Sequence, residues 1–137
     1  MIFVSLPVAD LAASTAFYQA LGFTLNPAFS DPTSAAMVWS ETIHVMLLSH
    51  AKWRSFTDLP FPPAGTAGHM LSLTLDSREA VDRLNAAAAA HGGQGDVNPV
   101  QDHGFMYGRD LADPDGHRWG VIWMDRAALP ADAPINE

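Results

Sequence analysis

The sequence has no cysteine and few cations. The first absence excludes disulfides, thiolate metal sites and thiol nucleophiles, so any site must be built from oxygen, nitrogen or thioether groups. The second leaves 7 Lys and Arg against 15 Asp and Glu, a formal net charge of -8. That is the wrong sign for the phosphates of nucleic acid or for an anionic membrane surface, and neither is expected as a partner. Long apolar runs are also missing. The opening MIFVSLPVAD has no positively charged start and reaches Pro7 and Asp10 too early for a signal peptide or a spanning helix, so a cytoplasmic location is expected.

What is there is one unit written twice. A chain of 137 residues fits a single domain able to bury about two thirds of its unfolded surface. Ile2, Val4, Leu6 and Val8 alternate with Phe3, Ser5 and Pro7, the period of a strand with two different faces. Asp10 is placed to cap a helix over Leu11 to Leu21, and Gly22 to end it. Strands are expected at Thr24 to Phe29, Ala35 to Ser40 and Ile43 to Ser49. The order then restarts. Met70 to Leu75 alternates leucines with Met70, Ser72 and Thr74, and Asp76 or Ser77 caps a second helix running to about His91. Three more strands follow at Asp96 to Val100, Phe105 to Leu111 and Arg118 to Met124, the last after a DPDG turn. SLPVADL, opening at Ser5, superimposes on SLTLDSR, opening at Ser72. The pattern predicts an α+β domain of two tandem βαβββ modules, residues 1–49 and 69–125, with a connecting loop at 50–68 and a tail at 126–137; a four-stranded α+β sandwich is the alternative.

With LPVADLAASTAFYQALGF opening the first half and DPDGHRWGVIW closing the second, the chain resembles the vicinal oxygen chelate superfamily of glyoxalases, bleomycin-resistance proteins and extradiol dioxygenases. VMLLSHAKW, DHGFMYGR and DPDGHRWGVIWMD look like the bacterial branch labelled predicted lactoylglutathione lyase. The resemblance implies two modules forming a curved mixed sheet around a cavity, with one metal ligand on the inner face of each module's first and last strand. Carried onto this chain, those positions are Phe3, Met46, Met70 and Gly120. A phenyl ring, two thioethers and a hydrogen atom cannot hold a hard or borderline divalent ion. No metal and no cofactor is therefore expected.

The same register puts Ser5, Ser72 and Thr74 beside those four as polar lining, with Arg109 as an anchor and Arg118 as a similar candidate. Gly120 is expected to widen an apolar cavity, and the flexible methionines suit one that accommodates rather than reacts. His69 would become a ligand only if its strand slipped by one residue, turning the leucines toward the cavity. His117, after a turn glycine, is expected to be exposed. Trp53, Phe56, Phe61, Lys52 and Arg54 in the 50–68 loop suggest either a lid or a plain linker. GGQG follows a helix and so reads as a stop, not as a phosphate loop.

Three functions stay open on these residues. The first is a metal-independent protein that binds and sequesters a largely apolar or aromatic small molecule, as a homodimer. The second is a lyase or isomerase with His44, His103 or Tyr107 as acid or base. The third is a structural or regulatory dimer with a closed cavity. Tag-free protein equilibrated with zinc, nickel, manganese and iron(II) should retain far less than one metal per chain; near-stoichiometric retention would move His69 or His44 into the ligand set and bring the enzyme forward.

Overall fold

The computed structural model describes residues 1–128; the end of the expected 126–137 tail lies outside them. Strand β1 (Ile2–Val8), helix α1 (Leu11–Leu21) and strands β2 (Thr24–Leu25), β3 (Ser34–Val38) and β4 (Ile43–Ser49) form the first module. A short helix, α2 (His50–Arg54), opens the connection. Strand β5 (Met70–Leu75), helix α3 (Arg78–Ala90) and strands β6 (Gln101–Asp102), β7 (Met106–Ala112) and β8 (Arg118–Met124) form the second. The two sheets have the same strand order, β1-β4-β3-β2 and β5-β8-β7-β6, with parallel β1·β4 and β5·β8 pairs and antiparallel pairs elsewhere. They remain two separate sheets and do not close into one.

Local chemistry explains where elements begin and end. The Asp10 carboxylate accepts from the Ala13 amide, and Gly22, at φ 109°, takes the left-handed position that ends α1. Ser77 caps α3 in the same way through the Ala80 amide. Two expected strands are corrected. Thr24 to Phe29 pairs only at Thr24–Leu25, because Pro27 brings no amide hydrogen and Asn26 caps a 3-10 turn over Pro27–Phe29 instead. Asp96 to Val100 is not a strand: Asp96 sits at φ 48°, its amide donates to Asn85 Oδ1, and regular pairing resumes only at Gln101–Asp102. The helix α2 was not expected; Ser49 caps it by accepting from the Lys52 amide.

One core serves both modules. Leu6, Val8, Val45 and Leu47 from the first sheet, Leu73, Leu75, Trp119 and Val121 from the second, and Phe17, Tyr18, Val81, Leu84 and Ala88 from the helices form a single buried cluster. Each large apolar side chain fully withdrawn from water contributes about 1.5–3 kcal/mol. Both helices thus lie on the leucine sides of the sheets, and the other face of each sheet turns away from the core. No helix among the described residues is long and apolar enough to cross a membrane.

The modules are joined where the turn before β8 meets the start of α1. Asp113, 3% exposed, accepts the amides of Asp115 and His117 on one carboxylate oxygen and the Tyr18 hydroxyl on the other at 2.7 Å. The Trp119 indole donates to the same hydroxyl at 3.0 Å. Asp115 accepts the Ala9 amide and the Ser14 hydroxyl, and His117 donates from Nε2 to the Pro7 carbonyl at 2.8 Å. His117 is thus half-buried and bonded between modules, not exposed as its place after a turn glycine had suggested. Tyr18→Phe would leave the buried Asp113 oxygen and Trp119 donor short of a partner, costing about 1–3 kcal/mol. Tyr107→Phe, whose hydroxyl partner Asp82 is exposed, should cost clearly less. Urea unfolding of both variants checks this, and equal losses would remove the junction's special weight.

Candidate functional site

Residues paired across neighbouring strands share a face, so the register assigns each side chain. On the outer face of the first sheet Phe3 stands beside His44, and Ser5 beside Met46. Phe3 is 58% exposed, and its ring stacks on that of His44 at 4.8 Å with a 26° tilt. On the outer face of the second sheet Met70 stands beside Arg118, Ser72 beside Gly120 and Thr74 beside Ile122, while Gly120 also faces Asp110 of β7. Met70 is 53% exposed. Seven of the eight expected pocket residues therefore lie on these outer faces, three on the first and four on the second. Among the described residues the two groups lie on the open faces of separate sheets.

Gly120 is not what the sequence suggested. A β-carbon there would stand 2.9 Å from Ser72 Oγ and 3.2 Å from Asp110 Oδ1, so the space above the glycine is already filled by two polar side chains. Asp110 in turn accepts from the Asn98 amide at 2.9 Å. The glycine lets Ser72 and Asp110 lie over the strand, and the face is more polar than the apolar cavity expected. Alternation alone could not reveal this, because Asp110 and Asn98 reach the spot from β7 and from an irregular segment.

Arg109 is the eighth residue, and its expected role is corrected. It pairs with Val121 on the helix side of β7, where it binds Asp96 at 2.6 Å and Asp82 at 2.9 Å. Tyr107 shares that side and donates to Asp82. Arg78 of α3 clasps Asp102 with both terminal nitrogens at 2.9 Å and lies over the rings of Tyr107 and Trp123. These are bonds that tie α3 and the chain after it to the sheet. Hydrogen bonds from Arg78 hold the Asp102 carboxyl down at about 2, those from Tyr107 and then Arg109 lower Asp82, and those from Arg109 lower Asp96. What these three contribute is present above the unfolded carboxylate value of about 3.9 and is lost as pH falls through their folded values. Asp113 runs the other way. Burial raises its pKa, so its contribution is full below the unfolded value and declines as pH rises through the folded one.

Arg118 is the cation that does reach an outer face. It is half-buried beside Met70 and makes no hydrogen bond or ion pair with another described residue. Of the acid and base candidates, only His44 stands on an outer face; its Nε2 is 3.1 Å from the Glu41 carbonyl. His103 is exposed in the turn between β6 and β7, and Tyr107 is held on the helix side. His69 is exposed just before β5, its ring 6.0 Å from that of His117. In the 50–68 loop, Lys52 lies over Phe56 and Arg54 over Phe61, so the basic and aromatic groups there partner one another.

Phe3, Met46, Met70 and Gly120, the positions that the resemblance would assign to metal ligands, offer no oxygen or imidazole donor. Among the described residues no three His, Asp or Glu side chains gather in a way that could hold a metal ion. The residues present do not fit a divalent ion at that place.

Comparison with known proteins agrees with the fold. The family described as bleomycin resistance protein-like N-terminal matches residues 1–40. A hypothetical protein from S. aureus is 25% identical, with 90% of this chain and 92% of that chain covered and a TM-score of 0.76. A glyoxalase/bleomycin resistance protein/dioxygenase family enzyme from Burkholderia phytofirmans is 21% identical over 89% of this chain and 96% of that one, at a TM-score of 0.77. A glyoxalase-related enzyme from Fulvimarina pelagi is 20% identical over 100% and 96%, also at 0.77. No curated protein matches the sequence. The chain thus shares the fold of structures named for the glyoxalase/bleomycin resistance protein/dioxygenase family, and its first 40 residues match the bleomycin resistance protein-like model, in line with the resemblance to the vicinal oxygen chelate superfamily.

The filled space above Gly120 carries its own test. Gly120→Ala should cost about 1–3 kcal/mol by overpacking. Removing the hydroxyl it meets, in Ser72→Ala/Gly120→Ala, should recover part of that loss, so the two changes are coupled rather than additive. Strict additivity in a denaturation cycle would show that Ser72 does not crowd the position.

Proposed function

We propose that this protein binds and sequesters a small molecule without the superfamily's metal, and that a second copy completes the pocket. One observation carries the reading: the four positions that hold metal ligands in related enzymes are Phe3, Met46, Met70 and Gly120, and they lie on two outer sheet faces that one chain leaves open. Exposed Phe3 and Met70 give each face an apolar contact. Ser5, Ser72 and Thr74 supply hydrogen-bonding groups. Arg118, free of any described acid, supplies the anchor first assigned to Arg109. The ligand class is an aromatic or apolar molecule bearing a carboxylate, held by the guanidinium fork and laid against the phenyl ring and thioethers.

The test uses a panel of aromatic carboxylates with the full chain. Light scattering should give twice the 14.7 kDa of one chain. A ligand at a hundredfold excess over its Kd should stabilise the protein by about 2.7 kcal/mol, visible as a rise in Tm. Arg118→Gln should remove that rise while leaving the unliganded Tm nearly unchanged. Stabilisation that survives Arg118→Gln would move the pocket elsewhere. Turnover of a glutathione hemithioacetal would replace sequestration with the enzyme reading, in which His44 is the one acid-base candidate on an outer face.

A further inference from the structure

A separate cleft of about 490 Å³ lies between the modules, away from Phe3, Met46, Met70 and Gly120. One wall is the end of α1, at Leu21 and Gly22, with Trp39. The other is the β5–α3 junction from Thr74 to Ser77, together with Arg83 and Leu84 on α3. Trp39 is fixed from behind. Its ring packs on Phe23 at 5.1 Å.

The polar groups of this cleft differ from those elsewhere on α3. Arg78 and Asp82 are engaged in hydrogen bonds and ion pairs. Asp76, Arg83, the Thr74 hydroxyl and the Trp39 indole N–H make no hydrogen bond or ion pair with another described residue. An acid and a base that do not neutralise each other therefore share one cleft with an aromatic ring. Asp76 lies just before α3 and Arg83 on its second turn, and both line the cleft. Helical side chains lean toward the N-terminus, the end of α3 at which Asp76 stands.

We propose that this cleft binds a small zwitterion of the α-amino acid class with an aromatic or apolar side chain. Arg83 takes the carboxylate in its planar fork, Asp76 takes the ammonium with help from the Thr74 hydroxyl, and the side chain lies against Trp39 and Leu84. The volume is within the range of small-molecule sites. The site is distinct from the outer faces and touches them only at Thr74.

The test titrates the full chain with L-phenylalanine, with 3-phenylpropionate, which lacks the ammonium, and with 2-phenylethylamine, which lacks the carboxylate. The readout is the indole N–H resonance of Trp39, assigned from Trp39→Phe. L-Phenylalanine should shift that resonance saturably. Arg83→Gln should weaken both L-phenylalanine and 3-phenylpropionate by roughly tenfold or more, the scale of one charge-assisted contact. Asp76→Asn should weaken L-phenylalanine and leave 3-phenylpropionate unchanged or tighter. Arg118→Gln should leave all three unaffected, which separates this cleft from the outer faces. No saturable shift with L-phenylalanine at millimolar concentration, equal losses for both ligands in Asp76→Asn, or sensitivity to Arg118→Gln would each overturn the proposal. Asp76 and Arg83 are both exposed, so neither variant threatens the fold.

Discussion

Asp113 keeps its carboxylate out of water between a turn that it closes itself and a tyrosine from the other module. A buried charge or its neutral acid is tolerated only where its hydrogen bonds are met, and here both oxygens are met. Burial, the first cause, pushes both the Asp113 carboxyl and the Tyr18 hydroxyl above their ordinary values. Everything beside this junction follows from its geometry. With Tyr18 against Trp119, the helices and the leucine faces of both sheets have to share one core.

That shared core decides what the protein can offer to a partner or ligand. With the apolar backs of both sheets spent on it, the faces bearing Phe3 and Met70 are left outside. They are unlike in chemistry. The first is aromatic and aliphatic around Phe3, His44 and Met46, whereas the second lays Ser72, Asp110 and Asn98 over Gly120 and leaves Arg118 without an acid. Neither face offers a group of three His, Asp or Glu side chains among the described residues that could hold a metal ion.

Arginine use on the second module shows how close the opposite assignment lay. Arg109 and Arg118 are both strand residues near the same turn. Parity along a strand says which residues share a face but not which face is which, and Tyr107 and Arg109 read equally well as a ligand-binding pair. What settles it is α3, whose Asp82 stands beneath β7 and draws both side chains to the helix side. Asp96 completes the pull from an irregular segment whose left-handed backbone no period announces.

Alternation, capping residues and the repeated SLPVADL and SLTLDSR were enough to read the two long helices, the five longer strands that keep their period, and the fold. Those features are local, and local hydrogen bonding and side-chain parity are written in neighbouring residues. The weak points were also local in cause. Pro27 and Asp96 broke strands whose composition looked regular, and Ser49 started a helix too short to have a period. That the space over Gly120 is full, that Arg109 faces inward, that His117 joins the modules and that Trp39, Asp76 and Arg83 border one cleft were decided by tertiary structure. Each depends on residues distant in sequence being brought together when two amphipathic units bury their apolar sides against each other, and no one-dimensional pattern records that packing.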